Sequence, residues 1–387
     1  MDAMKKLDAH LAGRVIELVK MKKSGVKIVG YFPGGYVPEE MIQAAGAVPL
    51  GLCRGGDPEP TTESLSMMPR FLCTFCRSQI GYWKLNEEPV YRLPNLYISP
   101  VVDINQKGIC DAFSYYAKME GYRMGIPHDK RPDAIAYFTT RLVGMKQKLE
   151  GATGNKIIEE KLLAEIKLGN KRRDFFRAIS GLRKDANPVI SSTDYVKLHH
   201  AALYADRDVF LEILQSMYDE LKVNCIKSTN LRRPRIMLVA STLAHGDIRV
   251  HDILSETGGE IVYEEVAEGM HPYENNVNPN GDLLAALTDT YFTKRIEGPW
   301  DRPYGTRYER LLAKAKEFSV DGVLWYETMY RDGPDIQAFA FGNMFKRDGL
   351  AFVKIETEYS VAEKGPMRTR IETFVDLMSK GLAEAII

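Results

Sequence analysis

The residue types in this chain best suited to chemistry are its cysteines. Four of the five lie between positions 53 and 110, and the fifth, Cys225, stands alone far downstream. Cys73 and Cys76 form a Cys-x-x-Cys pair, and Cys110 follows in a Cys-Asp dipeptide. Thiolates that gather at one place typically bind a soft metal, so an iron–sulfur cluster or zinc is the first chemistry to consider.

Each interpretation of the Cys-x-x-Cys pair requires different surroundings. A structural zinc site needs a second such pair or two spaced histidines, and neither occurs nearby. A thioredoxin-like redox pair needs a strand–helix junction that the surrounding pattern does not support. Iron–sulfur clusters accept thiolates from anywhere in a fold, and Cys73, Cys76 and Cys110 suffice for three. We interpret Cys53 and Cys225 as structural thiols, since free cysteines are usually buried.

Short apolar runs bounded by turn residues must position these cysteines. In the first third of the chain, each run leads into a loop and then into a helical pattern. Strand, loop and helix in alternation predict a parallel sheet with helices on its faces. The predicted strands of this unit are Lys27–Pro33, Val48–Cys53 and Leu96–Val102.

The rest of the chain predicts a helical segment and a second α/β unit. We expect an α/β fold with two doubly wound, Rossmann- or flavodoxin-like parallel-sheet domains, residues 1–130 and 233–387, joined by helices in residues 131–232. Ligands of such sheets bind beyond the carboxyl ends of the strands, and the cysteines fall at or near these ends. The predicted strands of the second unit are Arg235–Ser241, Glu260–Val266, Asp321–Glu327 and Ala351–Glu358.

Composition limits the classes of function. The 387 residues include 52 basic and 52 acidic side chains, and this balance argues against a nucleic-acid partner. No run reaches the ~18 apolar residues that a membrane span requires, and the first residues have the pattern of a helix rather than a signal peptide. We therefore expect no membrane association, a cytoplasmic location and reduced cysteines.

Four stretches occur in a fixed order along almost the whole chain. They are YFPGGYVPEEMIQAAGAVPLGLCRGGD, LCTFCRSQIG, GICDAF, and DGVLWY followed by LAFVKIETEYS. This ordered set resembles the iron–sulfur subunits of the 2-hydroxyacyl-CoA dehydratase and benzoyl-CoA reductase family. By this resemblance, Cys73 and Cys110 correspond to cluster ligands, and the cluster would be [4Fe-4S].

The resemblance also implies partners and a substrate class. The partners are a homologous larger cluster-bearing subunit and iron–sulfur activator subunits that hydrolyse ATP, so this chain would not use ATP itself. The substrate is an acyl-CoA thioester.

The sequence departs from the family pattern at one position. The third cluster cysteine of the family follows the strand that corresponds to Asp321–Glu327, but the loop here is Thr-Met-Tyr-Arg-Asp-Gly. Either Cys76 replaces the missing ligand, or the cluster is altered, or this subunit has lost it. We favour Cys76, because it lies one turn or one hairpin step from Cys73.

Reduction of a thioester carbonyl by single electrons requires groups that stabilise charge and supply protons. The candidate donors to the cluster or the thioester oxygen are Arg77, Ser78, Gly55 and Gly56. The candidate acids at predicted strand ends are His245, His271 and Glu327. The candidate basic residues for the CoA phosphates are Lys294, Arg295, Arg302 and Arg307.

Three functions remain open at this point. The sequence Gly55-Gly56-Asp57 favours the smaller cluster-bearing subunit of an ATP-dependent benzoyl-CoA reductase, which would dearomatise its substrate. The alternative is a subunit of an (R)-2-hydroxyacyl-CoA dehydratase that uses a ketyl radical. A cluster-free structural or substrate-binding subunit is the third, because of the missing cysteine.

Overall fold

The computed structural model describes residues 1–185, 188–224, 233–240, 242–267, 269–296 and 298–381. Within these ranges the strands form two four-stranded sheets, and every strand pair is parallel. The predicted fold class is therefore confirmed. The strands are β1 (Ile28–Tyr31), β2 (Val48–Gly51), β3 (Leu96–Val101), β4 (Gly121–Gly125), β5 (Arg235–Ala240), β6 (Glu260–Glu265), β7 (Gly322–Thr328) and β8 (Ala351–Thr357).

Helices connect the strands and pack on the sheets, as alternation of strand and helix in the sequence predicts. The described helices are α1 (Asp2–Lys23), α2 (Glu39–Ala44), α3 (Pro58–Glu63), α4 (Thr74–Leu85), α5 (Ile104–Tyr115), α6 (Pro132–Thr153), α7 (Glu159–Gly181), α8 (Ser192–Ala201), α9 (Arg207–Asn224), α10 (Arg249–Thr257), α11 (Leu283–Thr288), α12 (Gly305–Glu317), α13 (Asp332–Arg347) and α14 (Lys364–Ser379). None of them is both long and apolar enough to cross a bilayer.

Both sheets have the same topology, with strand orders β2-β1-β3-β4 and β6-β5-β7-β8. In each unit the chain starts in the interior of the sheet, adds one strand on one side, and then crosses to the other side. The loops after β1 and β3 therefore diverge, as do those after β5 and β7. Such a switch point opens a crevice beyond the carboxyl ends of the strands, where ligands of doubly wound sheets bind.

Alternate residues of each strand pack on opposite faces of its sheet. Val29 belongs to an apolar cluster with α2, α6 and α7, whereas Ile28 packs with α4 and α5. In the second sheet, Val239 packs with α9, α12 and α13, whereas Leu238 packs with α10 and α14. Each sheet is covered on both faces, which explains why its strands appear in the sequence as continuous apolar runs.

The N-terminal helix α1 packs against both units. Met4 and Leu7 belong to the apolar cluster on one face of the second sheet, whereas Leu18 packs with the first unit. The proposed domain division at residues 130 and 232 stays a prediction. Cys225 lies outside the described residues, and so does Ser241 at the end of a predicted strand.

Helix α4 carries the Cys-x-x-Cys pair, and its packing on α3 depends on a glycine. A Cβ atom at Gly81 would lie 1.9 Å from the carbonyl oxygen of Pro60. We expect Gly81→Ala to lower the free energy of unfolding by about 3 kcal/mol, because backbone would have to move. The measurement is urea unfolding, with Gly13→Ala as the matched control. A Cβ atom at Gly13 in α1 would have no atom within 4 Å, so alanine there should raise stability by ~0.5–1 kcal/mol.

Candidate functional site

The carboxyl ends of the two sheets face each other, and backbone hydrogen bonds join the loops that leave them. The Gly55 amide donates to the His245 carbonyl oxygen at 3.0 Å, and the His245 amide donates to the Cys53 carbonyl oxygen at 2.7 Å. A Cβ atom at Gly55 would lie 2.4 Å from the Ala244 Cβ, so these loops approach closely only because position 55 is a glycine. Residues of both units therefore line one crevice.

A narrow cavity lies at the centre of this crevice, between the loops that follow β1, β3, β5 and β7. It coincides with the switch points of both sheets, where the topology predicts a ligand site. Its lining includes His271 and three arginines that are at most 5% exposed, Arg295, Arg307 and Arg331. This concentration of buried guanidinium groups makes the cavity suited to negative charge.

Cys73 and Cys76 lie side by side at the N-terminus of α4, and both are fully buried. Burial by itself raises the pKa of the Cys73 thiol. Hydrogen bonds from the Cys76 thiol and amide, together with the charge of Arg331 and a contact with Thr328, outweigh burial and lower the pKa of Cys73 to about 6. Burial and the neighbouring Cys73 raise the pKa of Cys76 well above its ordinary value. The pair therefore holds one thiolate and one thiol at neutral pH.

The last residue of β7 and the loop that follows it complete the surroundings of this pair. The Thr328 hydroxyl and the Cys73 sulfur form a hydrogen bond, with 3.0 Å between Oγ1 and Sγ. Arg331 is 4% exposed, and its Nη2 atom donates to the Asp103 carboxylate at 3.2 Å. The Nε and Nη1 atoms of Arg331 have no hydrogen-bond partner among the described residues. A hydroxyl and a guanidinium thus occupy the loop in which the family resemblance places a third cysteine.

Cys110 lies in the middle of α5, in different surroundings from the Cys-x-x-Cys pair. Burial raises the pKa of Cys110, and a hydrogen bond with Ser99 opposes this effect. The link between the two places is Asn105, whose side-chain oxygen accepts the Cys73 amide at 2.7 Å. Within the described ranges, no three His, Cys, Asp or Glu side chains are arranged to share a metal ion. A cluster on Cys73, Cys76 and Cys110 stays a prediction, and we derive no step through it.

The predicted donors near the cysteines are engaged within the protein. Arg77 Nε donates to the Leu72 carbonyl oxygen at 2.9 Å, and Ser78 Oγ donates to the Phe75 carbonyl oxygen at 2.8 Å. The Gly55 amide is used between the loops, as described above. At Gly56, φ is +93°, and a Cβ would lie 2.9 Å from a carbonyl oxygen of the opposite loop. The roles predicted for these four residues stay predictions.

His271 belongs to a buried network of alternating charge. Arg295 Nη2 donates to Nδ1 of His271 at 3.2 Å, and His271 Nε2 lies 2.8 Å from a carboxylate oxygen of Glu265. The other oxygen of Glu265 accepts Arg307 Nη2 at 2.9 Å. Because a guanidinium only donates, Nδ1 must accept, and the proton lies on Nε2. Burial lowers the pKa of His271, so the imidazole is neutral at pH 7.

His245 lies in another part of the crevice, next to the loop after β2. Its Nε2 atom is 3.5 Å from the Tyr204 hydroxyl, and its ring centroid is 5.5 Å from that of His200. Burial, with a smaller contribution from the charge of Arg54, lowers the pKa of His245 to about 4. His245 and His271 line different cavities.

Glu327 is buried near the end of β7 and accepts a hydrogen bond from Trp325 Nε1 at 3.1 Å. The charge of Glu327 contributes to a raised pKa of the nearby Arg331. Sequence analysis identified Glu327 but missed Thr328 and Arg331. Their positions could have identified them, because both residues follow a predicted strand, at the end of the sheet where ligands bind.

The four basic residues predicted to bind CoA phosphates divide into two groups. Lys294 is exposed and forms an ion pair with Asp289 at 2.6 Å, and Arg302 is exposed as well. Arg295 and Arg307 are buried and line the central cavity. A contact of all four with one CoA phosphate group stays a prediction.

Comparison with known proteins decides the family. The family model described as "2-hydroxyglutaryl-CoA dehydratase, D-component" matches residues 35–378, which include every strand except β1 and most of the crevice. The chain belongs to this family. The resemblance inferred from the ordered motifs is therefore confirmed.

Similar proteins carry the names of different enzymes. The (R)-2-hydroxyglutaryl-CoA dehydratase beta subunit of Acidaminococcus fermentans is 27% identical, over 93% of this chain and 94% of the relative. The (R)-phenyllactyl-CoA dehydratase beta subunit of Clostridium sporogenes is 23% identical, over 92% and 93%. A benzoyl-CoA reductase subunit of Thauera aromatica is 22% identical, over 90% of both chains. These relatives are enzyme subunits, two named for dehydratases and one for a reductase.

The buried Glu265 depends on its arginine. We expect Arg307→Met to lower the free energy of unfolding by about 3–5 kcal/mol, because Glu265 then loses the cation that compensates its burial. Urea unfolding measures the effect. The control, Arg368→Met, removes an exposed partner of Glu256 and should leave stability nearly unchanged. Equal decreases in the free energy of unfolding would show that the buried Arg307–Glu265 pair matters no more for stability than an exposed ion pair.

The buried histidines predict loss of stability in acid. His245 and His271 have lowered pKa values in the folded chain, so below about pH 6.5 the unfolded chain binds more protons than the folded one. Stability should fall as the pH decreases through this window, by up to ~1.4 kcal/mol per pH unit for each histidine. We expect His245→Asn to make the free energy of unfolding depend less steeply on pH, by the contribution of one histidine. The measurement is urea unfolding between pH 7 and 5. An unchanged slope would contradict a neutral His245.

Proposed function

We propose that this chain is a subunit of a 2-hydroxyacyl-CoA dehydratase whose acyl-CoA thioester binds in the crevice between the two sheets. The observation that carries the proposal is the set of three buried arginines at the switch points of both sheets. The family match, which spans the same residues, supports it. The partner subunits of the assembly would supply electrons.

The chemistry explains why positive charge is needed there. One-electron reduction of the thioester carbonyl gives a ketyl radical anion, whose negative charge is concentrated on oxygen. That charge lets the hydroxyl group on the neighbouring carbon leave as hydroxide, and the neutral enoxy radical that remains has an acidic β-proton. Loss of this proton and return of the electron to its donor give the enoyl-CoA, so the reaction uses no net electrons. Fixed donors in a water-poor site stabilise developing negative charge more strongly than water does. The free Nε–H and Nη1–H donors of Arg331 are suited to this oxygen.

Other residues of the site would position these donors. Asp103 holds Arg331 through Nη2, and Glu265 holds Arg307 and His271. With both ring nitrogens of His271 already bonded, we assign it a positioning role in this state rather than that of a free acid. His245 lines a different cavity, so Glu327, whose charge acts on Arg331, is then the candidate acid or base of the three that sequence analysis named.

A benzoyl-CoA reductase subunit is the second candidate. Sequence analysis favoured it on Gly55-Gly56-Asp57, but these residues have structural roles. Gly55 and Gly56 permit the close approach of the opposite loop, and Asp57 accepts a hydrogen bond from Tyr82 at 2.7 Å. These contacts are independent of the reaction that the enzyme catalyses, so the motif does not favour the reductase.

A cluster-free subunit is the third candidate, and one observation favours it. Thr328 at the end of β7 and Arg331 in the loop after it lie beside Cys73, and the described residues contain no three-ligand metal group. Iron and acid-labile sulfide, measured on the anaerobically purified chain, separate this candidate from the first two. A content near zero favours a chain that binds substrate while its partner holds the cluster.

The test of the proposal is turnover by the assembled enzyme. With the larger subunit, the activator, ATP and a low-potential reductant, we expect consumption of an (R)-2-hydroxyacyl-CoA and not of benzoyl-CoA. Arg331→Gln should lower kcat about 10²–10³-fold with a smaller change in KM, as loss of a donor to a developing oxyanion does. Arg368→Gln, at an exposed position in α14 outside the crevice, is the control. Full activity of the Arg331 variant would refute the assigned role.

A further inference from the structure

A second cavity, separate from the arginine-lined one, lies between α1, β2 and the turn that joins α8 to α9. Its volume is about 160 Å³, which is close to that of a cavity known to accommodate one benzene molecule. Most of its wall is apolar, and the side chains that form this part are Leu11, Val15, Leu50, Val90, Tyr91 and Leu203. The space is therefore suited to one six-membered ring.

The wall is built from five separate parts of the chain, which the fold holds firmly. The Gly51 amide donates to the Leu203 carbonyl oxygen at 2.7 Å, and the buried Arg14 donates to the Tyr204 carbonyl oxygen at 2.8 Å. The backbone bonds between His245 and the loop at Cys53 close another side. The cavity is thus a consequence of the tertiary packing and not of one flexible loop.

The charged groups at the cavity are already paired with each other. Arg54 Nη2 lies 3.3 Å from Asp57, and Arg54 Nε lies 3.5 Å from Glu88. A ligand with a carboxylate would meet two carboxylates beside one guanidinium, which disfavours it. The remaining polar groups, the His245 imidazole and the Tyr204 hydroxyl, are suited to one hydrogen bond with a neutral ligand.

We propose that this cavity binds a neutral aromatic ring that carries one hydrogen-bonding group, directed to His245 and Tyr204. Resting on the proposed function, the ring is the acyl end of the substrate, so the substrate class is an aryl-substituted acyl-CoA rather than a dicarboxylic one. Leu203 also lines a neighbouring cavity, which in turn shares Pro33, Gly34 and Ala267 with the arginine-lined cavity. The ring cavity is therefore connected, through this neighbouring cavity, to the one that holds the groups assigned to the thioester.

Binding of small probes to the full-length chain, by titration calorimetry, tests the proposal without turnover. We expect saturable binding of benzamide, and we expect that glutarate does not compete with it for this cavity. Val15→Phe fills the cavity with a second ring and should weaken benzamide binding at least about tenfold. Val209→Phe, the same change at a position 39% exposed and outside the cavity, should leave binding unchanged. Urea unfolding first verifies that each variant is folded.

The outcomes separate the cavity from the proposed function. Absence of benzamide binding to the wild type, equal binding to a folded Val15→Phe variant, or binding of glutarate at the same site would overturn the inference. Benzamide binding together with an assembled enzyme that turns over no acyl-CoA would leave the cavity established and remove the proposed function. Turnover of a dicarboxylic 2-hydroxyacyl-CoA, without benzamide binding, would support the proposed function and refute the aromatic-ring cavity.

Discussion

The close contact between the loop after β2 and the loop after β5 is the constraint on which the crevice depends. Two parallel sheets that meet at their carboxyl ends bring unpaired backbone groups together, and these groups must be satisfied. The reciprocal hydrogen bonds between His245 and residues 53 and 55 satisfy them. The contact is possible because Gly55, Gly56 and Gly246 have no side chains, since a Cβ at any of them would lie within 3.0 Å of an atom of the other loop.

The second constraint is electrostatic. Burial of a guanidinium group is costly unless it is compensated, and the structure supplies Glu265 for Arg307 and Asp103 for Arg331. Arg295 instead donates to the carbonyl oxygens of Gly34 and Ile296. The Cys73 thiolate provides further negative charge beside Arg331. The buried charges are therefore mutually dependent, and Arg331 retains donors for a further anionic group. Retention of free donors in a buried arginine is a property of binding sites more than of stable cores.

Much of the architecture was predictable from local patterns. Apolar runs, turn residues and helical spacing identified seven of the strands, because buried parallel strands have a strong signal. Strand β4 was missed, since Gly-Tyr-Arg-Met-Gly has no apolar run. The predicted cysteine set depended on resemblance, and local patterns do not determine whether Cys110 lies beside Cys73. His245 and His271 looked equivalent as strand-end histidines, but the folded chain places them in different cavities.

The sequence by itself determined the fold class, the family and the general position of the site, because these follow from periodicity, motif order and the rule that ligands bind at strand ends. Only the tertiary structure decided which side chains meet there. Thr328 and Cys73 are 255 positions apart, and their contact exists only because the carboxyl ends of two sheets face each other. The ring-sized cavity has the same origin, since five distant segments enclose it and no local pattern encodes an enclosed volume.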